Sequence, residues 1–244
     1  MNPLPKLDAI WVYLAASPLL GLTLTLVAYL IAINVYMRAR FNPLANPVLI
    51  AVAIVVLALK ATGTPYGTYF EGAQFVHFLL GPATVALALP LFRQWSKLKR
   101  TALPLVGGLV AGSLAAIVSA VGIAALFGAS RHTLASIAPK SATTPIAMAV
   151  ADKIGGIPSL TAVLVISTGV FGAVTARGVL RTLRVDEIEV RGFAIGVASH
   201  GIGTARAFQV SEEMGAFAGL GMGLNGVFTA FVVPVLLPVL LRWW

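Results

Sequence analysis

The sequence contains no cysteine and very little charge. Only 10% of its 244 residues are Asp, Glu, Lys or Arg, whereas soluble domains carry about 25%. So few charged side chains could not form the polar surface that a water-soluble fold of this size needs. The absence of cysteine excludes a disulfide-stapled module, and the high hydrophobicity excludes a disordered chain. The sequence also lacks a nucleotide-binding loop, a metal-ligand cluster and a catalytic elbow, so neither a cofactor nor enzyme activity is expected.

Apolar residues make up 59% of the chain and gather in long runs. About 20 apolar residues in a helix cross a bilayer core that is about 30 Å thick. The sequence therefore predicts a single all-α, polytopic membrane domain over residues 1–244. The clear candidate spans are Trp11–Tyr36, Pro47–Thr62, Leu103–Phe127, Pro158–Leu180 and Ala216–Leu241.

Three further apolar segments carry Gly or Pro at internal positions, where these residues interrupt helices. We expect each segment to form two half-helices that meet at a break. The segments and their predicted break residues are Tyr66–Phe92 with Gly81 and Pro82, His132–Gly155 with Pro139 and Pro145, and Gly192–Met214 with Gly201 and Gly203.

The basic residues indicate which segments cross the membrane. The formal net charge is +9, and most Lys and Arg lie between apolar runs, where they meet lipid head groups rather than nucleic acid. If 132–155 enters and leaves on one side, the linkers 37–45, 93–102 and 177–191 together with Arg242 hold 11 of the 17 Lys and Arg. If it crosses, the two sides hold nearly equal numbers. The positive-inside rule favours re-entry, with seven crossings, the amino terminus outside and the carboxyl terminus in the cytoplasm; a crossing stays open as the alternative.

The seven-crossing arrangement contains an inverted repeat. Residues 47–127 and 158–241 each show a span, an interrupted segment and a span, with opposite orientations. Interrupted segments at matching positions of two inverted halves are typical of a transporter's binding site at the bilayer midplane. In this alignment Thr84 corresponds to Thr204.

Polar residues inside the apolar segments are the candidate functional residues, because polar groups at membrane depth are costly and often functional. Lys140 lies in a break with three hydroxyls, and a half-helix starting near Ser141 would direct its free N–H groups at an anion. The alternative is a surface loop in which Ser141 and Thr143 cap a helix and Lys140 reaches lipid head groups. The predicted substrate-binding set is Lys140, Ser141, Thr143, Thr144, Arg206, Thr204, Thr84 and Asn225.

Two charged or titratable residues flank the last break. Arg206 could hold a carboxylate through two parallel hydrogen bonds, and His200 could relay a proton near neutral pH. The alternatives are an ion pair of Arg206 with Glu212 or Glu213, and a neutral His200 ring bonded to a backbone carbonyl. Asn225 could equally bridge helices. The small residues of the last span predict close helix packing, and with it a homodimer.

The three breaks resemble the signature segments of the LrgB/CidB family, in the family's order and over essentially the whole chain. The resemblance implies an antiholin-like protein that modulates murein hydrolase activity and lysis together with a small membrane partner of the LrgA/CidA type. Plastid relatives resemble glycolate/glycerate translocators, and bacterial members have been linked to pyruvate and other short monocarboxylates. The matching segments are Gly81-Pro82-Ala83-Thr84-Val85-Ala86-Leu87-Ala88, Pro139-Lys140-Ser141-Ala142-Thr143-Thr144-Pro145-Ile146-Ala147 and Ser199-His200-Gly201-Ile202-Gly203-Thr204-Ala205-Arg206-Ala207.

Two functions are therefore expected. The residues favour an inner-membrane carrier that moves a small organic anion by alternating access, because cationic, hydroxyl-rich breaks suit a carboxylate. The alternative is an antiholin-like regulator that acts through its membrane partner.

Overall fold

A computed structural model describes residues 18–42, 45–86 and 88–242, and it describes only the backbone of Pro18, His77, Leu80 and Thr84. This part of the chain is helical, as predicted. Five stretches are long and apolar enough to cross a membrane: Leu19–Arg38, Tyr66–Arg93, Trp95–Leu126, Pro158–Thr182 and Glu212–Leu240. The described helices are α1 (Pro18–Arg38), α2 (Pro47–Thr62), α3 (Tyr66–Phe78), α4 (Leu80–Ala86), α5 (Ala88–Arg93), α6 (Trp95–Leu126), α7 (Arg131–Ile137), α8 (Thr144–Lys153), α9 (Pro158–Thr182), α10 (Ile188–Phe208) and α11 (Glu212–Leu240).

The predicted spans correspond to helices, with shifts at their ends. Helix α2 has the predicted bounds, because the Asn46 side chain accepts hydrogen bonds from the first turn and Gly63, at a φ of 64°, ends the helix. Of the first predicted span, residues 11–17 lie outside the described residues. Helix α6 begins at Trp95, eight residues before the predicted start, since its basic first turns stay helical beyond the apolar run.

The chain divides into two compact units, residues 1–86 and 87–244. In the first unit α1 packs against α2 and α3. The Thr25 and Tyr69 hydroxyl oxygens lie 2.8 Å apart. A Cβ on Gly21 would collide with the carbonyl oxygen of Tyr69, so glycine allows the close approach of α1 and α3.

The break in the first interrupted segment lies close to the predicted one. A turn at Leu79 separates α3 from α4. Gly81 and Pro82 lie in the first turn of α4. Proline is tolerated there because an N–H in the first turn has no partner within the helix. The helix is therefore interrupted at Leu79, just before the predicted break residues Gly81 and Pro82.

Two long helices of the second unit, α6 and α11, run parallel. Near their starts Lys97 Nζ lies 2.6 Å from Glu213 Oε1. Midway, Ser113 Oγ donates to Asn225 Oδ1 at 2.7 Å. Towards their ends, residues of both helices share a buried apolar cluster.

Helix α9 runs in the opposite direction to α6 and α11. Its first residues lie beside α7, where the backbone N–H of Ile157 donates to Ser136 Oγ at 2.8 Å. Near its end Leu180 shares a buried cluster with Met214, at the start of α11. The second unit therefore has three long helices of alternating direction in chain order.

The segment between α6 and α9 forms a helical hairpin, which we call hairpin 1 (residues 131–153). Its helices have 7 and 10 residues, too few for either to span a bilayer. Arg131 at its start and Lys153 at its end line one cavity, together with Arg242 beyond the end of α11. Hairpin 1 thus enters and leaves at one end of the unit, which is the re-entrant course favoured by the charge distribution.

Helix α10 also folds back on itself, and we call it hairpin 2 (residues 188–208). At His200 the backbone leaves the helical region, with a φ of 41° and a ψ of −134°. The start of α10 lies close to α11, because a Cβ on Gly192 would strike the carbonyl oxygen of Met214. The end of α10 also lies close to α11, because a Cβ on Gly215 would strike the ring of Phe208. Both ends of hairpin 2 therefore lie at the start of α11, at the opposite end of the unit from the base of hairpin 1.

Hairpin 2 corrects two predictions. The prediction that 192–214 crosses the membrane is wrong, because the chain reverses at His200. The prediction that 103–127 and 216–241 run in opposite directions is also wrong, since removing one crossing makes them parallel. Arg242 consequently lies at the end of the unit opposite Lys97, and not on the side of linker 93–102. An inverted relationship that includes residues 47–86 stays a prediction.

Candidate functional site

The tips of the two hairpins meet near the midpoints of the long helices, and Asn225 joins them. Its Nδ2 donates to the carbonyl oxygens of Ser141, at 2.9 Å, and Val197, at 3.1 Å. Its Oδ1 accepts from Ser113 on α6, and the residue is only 1% exposed. One buried amide thus holds both tips against α6. This arrangement matches the alternative in which Asn225 bridges helices.

A cavity of about 610 Å³ lies between the hairpin tips and α9, and we call it the tip cavity. Its volume suits a small-molecule ligand. Lys140 supplies the cation, with Nζ 3.4 Å from Ser141 Oγ. The polar side chains of the wall are Lys140, Ser141, Ser167, Thr168, Thr175 and Ser199.

Ser199, at the tip of hairpin 2, presents a hydroxyl without a hydrogen bond. The residue is 1% exposed, and Oγ has no partner within the described part of the chain. Helix α9 faces it through Gly172, where a Cβ would collide with Ser199 Oγ. Because an unpaired buried hydroxyl costs about 1–3 kcal/mol, a ligand oxygen in the tip cavity would be a favourable partner.

His200 forms the turn of hairpin 2 and packs against α9. Its Nε2 lies 2.8 Å from the carbonyl oxygen of Val165, so Nε2 carries a hydrogen and donates it. A positive φ in a non-glycine residue is strained by about 1–3 kcal/mol and is typical of functional sites. The geometry matches the alternative of a packed ring bonded to a backbone carbonyl, and a proton relay at His200 stays a prediction.

Other residues predicted for the first binding break lie at the start of α8. Thr143 precedes the helix without a side-chain capping bond, and Thr144 is its first residue. The half-helix thus begins three residues later than expected. Pro139 lies in the connection between the two helices of hairpin 1. Pro145 lies in the first turn and starts α8 rather than breaking it.

The remaining predicted residues lie on or near hairpin 2, apart from Thr84, whose side chain lies outside the described residues. Thr204 Oγ1 donates to the carbonyl oxygen of His200 at 2.8 Å. Arg206 lies on the returning arm, and its Nη1 donates to Gln209 Oε1 at 3.1 Å. Neither Thr204 nor Arg206 is among the described residues of the cavity wall. Gly203 is helical and lets the two arms approach, since a Cβ there would lie 2.6 Å from Ser199 Cβ.

Sequence reasoning overlooked the contribution of α9 to the tip cavity. Ser167, Thr168 and Thr175 belong to an uninterrupted apolar span, so no glycine or proline marks them as part of a break. The available signal was the adjacent hydroxyl pair at 167–168, which lies near the middle of that span.

Ion pairs fix the base of hairpin 2. Lys97 Nζ lies 2.9 Å from Glu189 Oε2 on α10 and 2.6 Å from Glu213 Oε1 on α11. A more exposed pair joins Arg93 Nη1 to Glu212 Oε1 at 2.8 Å. The two glutamates considered as partners of Arg206 therefore pair with Arg93 and Lys97.

Together these features define a multi-pass helical membrane protein in which two hairpins from opposite ends of one unit meet at a polar cavity. The model of the LrgB-like family matches residues 25–239, and the chain belongs to this family, which confirms the resemblance seen in the three breaks.

Relatives match along most of their length. The uncharacterized proteins YxaC and YwbG of Bacillus subtilis (strain 168) are 35% and 36% identical, over 91% and 90% of this chain and 96% and 97% of their own. The antiholin-like protein LrgB of Bacillus mycoides (strain KBAB4) is 31% identical over 91% of this chain and 96% of its own. No solved structure matches the chain.

Proposed function

We propose that this protein is an inner-membrane carrier for a small organic anion, a short monocarboxylate such as pyruvate, glycolate or glycerate. The observation that supports the proposal most is that Lys140 and Ser199, whose hydroxyl has no partner among the described residues, both line the tip cavity. A carboxylate would accept hydrogen bonds from both groups, and a charged hydrogen bond is the stronger kind. The hydroxyls of Ser141 and Thr168 would complete its coordination.

The opposite entry of the two hairpins suits alternating access. Because each hairpin reaches the tip cavity from its own end, withdrawing one tip would open the cavity towards that end while the other stays closed. Arg206, Thr143, Thr144, Thr204 and Asn225 stay in the proposed binding set, and His200 stays the proposed proton relay. Thr84 stays a prediction from the sequence alone.

We also propose an orientation for the second unit. The end that holds Lys97 carries the basic linkers 93–102 and 177–191, whereas the other end carries Arg131, Lys153 and Arg242. The positive-inside rule then places the Lys97 end in the cytoplasm and Arg242 outside. The sequence alone predicted a cytoplasmic carboxyl terminus. The proposed side of Arg242 differs because the chain reverses at His200.

Uptake of labelled pyruvate or glycolate by proteoliposomes of the purified protein tests the carrier. We expect saturable uptake that Lys140→Gln reduces at least tenfold, since a hydrogen bond to a charged group contributes about 1.5–3 kcal/mol. Lys140→Arg keeps the charge and should retain part of the uptake. Lys99→Gln removes an exposed cation near the start of α6, away from the tip cavity, and should leave uptake unchanged. Equal uptake by Lys140→Gln and Lys99→Gln would refute the site.

A second function is favoured by the comparisons, which support it better than they support a carrier. The relative from Bacillus mycoides is named an antiholin-like protein, and that name describes control of lysis rather than transport. In this proposal the protein regulates murein hydrolases together with an LrgA/CidA-type membrane partner. It predicts lysis that depends on the partner, and no saturable, competable flux through the purified protein alone.

A further inference from the structure

A second cavity, of about 670 Å³, lies at the base of hairpin 1, and we call it the basic cavity. Three cationic side chains line it, each from a different part of the second unit. Arg131 begins α7, Lys153 ends α8, and Arg242 follows α11. No acidic side chain is among the described residues of its wall, and Asp152 is exposed beside it in the sequence. Like charges that converge repel one another, so this arrangement favours an anionic ligand.

The basic cavity lies at the depth of lipid head groups. Helix α11 has 29 residues, which at 1.5 Å per residue is about 43 Å. A bilayer with its head groups is about 40–45 Å thick. A helix of this length that starts at one membrane surface ends at the other, and the basic cavity surrounds that end.

The remaining wall of the basic cavity is apolar. Pro234, Leu237, Pro238 and Leu241 line it from α11 and the residue after it, and Ile154 does so from the end of α8. An anionic group bound by the three cations would therefore adjoin a hydrocarbon-like surface. A phospholipid has this combination of a phosphate and acyl chains, whereas a free phosphate would gain nothing from the apolar wall.

We propose that the basic cavity binds the phosphate of an anionic phospholipid, and that the lipid neutralises the cations at the base of hairpin 1. The Lys97 ion pairs hold the base of hairpin 2 with protein carboxylates. The bound phosphate would hold the base of hairpin 1 in the same way. This proposal is independent of what the tip cavity binds.

Native mass spectrometry of the full chain with phosphatidylglycerol tests the proposal, with phosphatidylcholine as the zwitterionic control and inorganic phosphate as the lipid-free one. Each of Arg131→Gln, Lys153→Gln and Arg242→Gln should weaken phosphatidylglycerol binding about fivefold, because a cation near an anionic surface contributes about 1 kcal/mol. The matched control Arg184→Gln, at the other end of the unit, should leave binding unchanged.

Three results would overturn the proposal. The first is equal binding of phosphatidylglycerol and phosphatidylcholine. The second is unchanged phosphatidylglycerol binding in a variant that combines Arg131→Gln, Lys153→Gln and Arg242→Gln. The third is displacement of phosphatidylglycerol by inorganic phosphate at equal concentration. A double variant, Arg131→Lys with Arg242→Lys, keeps the positive charges and controls for loss of binding through misfolding. It should bind phosphatidylglycerol within about twofold of the unaltered protein, and its failure to do so while remaining monodisperse would also count against the proposal.

Discussion

At the residue scale, the turn of hairpin 2 depends on how closely α9 approaches His200. The buried ring lies against Gly169, where a Cβ would come 2.6 Å from Cε1 and 2.7 Å from Nε2. The hydrogen bond to Val165 fixes the ring in this place. Glycine at 169 therefore provides the space that the turn occupies.

Gly169→Ala should destabilise the protein by about 1–3 kcal/mol, because overpacking forces the His200 ring or α9 to shift. Gly178→Ala is the matched control on the same helix, since no described atom beyond the neighbouring residues and backbone of its own turns lies within 4 Å of the Cβ position there. Thermal unfolding in detergent should show a lower midpoint for Gly169→Ala only. Equal midpoints for the two variants would show that the ring does not occupy this space.

The sequence identified part of the tip cavity at this scale. Lys140 and Ser141 were predictable because a lysine beside proline and hydroxyls in an apolar segment is unusual. Ser167 and Thr168 were not, since hydroxyls in a continuous helix usually bond to their own backbone, as Ser167 Oγ does to the carbonyl oxygen of Val163. Their exposure to the cavity depends on which helix faces them, and a single sequence does not carry that information.

At the scale of elements, the two hairpins differ in how their bases are held. The Lys97 ion pairs tie hairpin 2 to both α6 and α11. Their carboxylates are largely withdrawn from solvent, with side-chain exposures of 13% for Glu189 and 27% for Glu213. The Arg93–Glu212 pair is exposed on both sides, at 61% and 57%.

Lys97→Gln should cost about 1–2 kcal/mol of stability, because it leaves two partly buried carboxylates without their cation. Arg93→Gln should cost less than about 1 kcal/mol, as is usual for exposed ion pairs. Thermal unfolding measures both variants, and hydrogen exchange of residues 188–208 should rise only in Lys97→Gln. A larger loss in Arg93→Gln would contradict this ranking.

Elements were predictable where local chemistry sets their ends. Helix α2 has a side-chain cap before it and a left-handed glycine after it, and both signals are visible in the sequence. Hairpin 2 was misread as a crossing because its reversal occurs at a histidine. A positive φ in a non-glycine residue has no reliable local signature, and contacts with α9 and α11 impose it.

At the scale of the whole molecule, the second unit combines three long helices with two hairpins that enter from opposite ends. The polar tip cavity exists only because both tips stop near the middle of the unit. If either hairpin crossed completely, its tip residues would form part of a continuous span. The direction of the hairpins is therefore the claim on which the proposed site depends.

Thiol labelling tests that claim most directly, because the chain has no cysteine and each substitution introduces a single thiol. Arg131→Cys and Lys153→Cys mark the ends of hairpin 1, and Glu187→Cys and Val210→Cys flank hairpin 2. A membrane-impermeant maleimide applied to oriented vesicles should label 131 and 153 from one side, and 187 and 210 from the other. Labelling of 187 and 210 from opposite sides would mean that residues 188–208 cross the membrane, and would contradict a site built from two meeting tips.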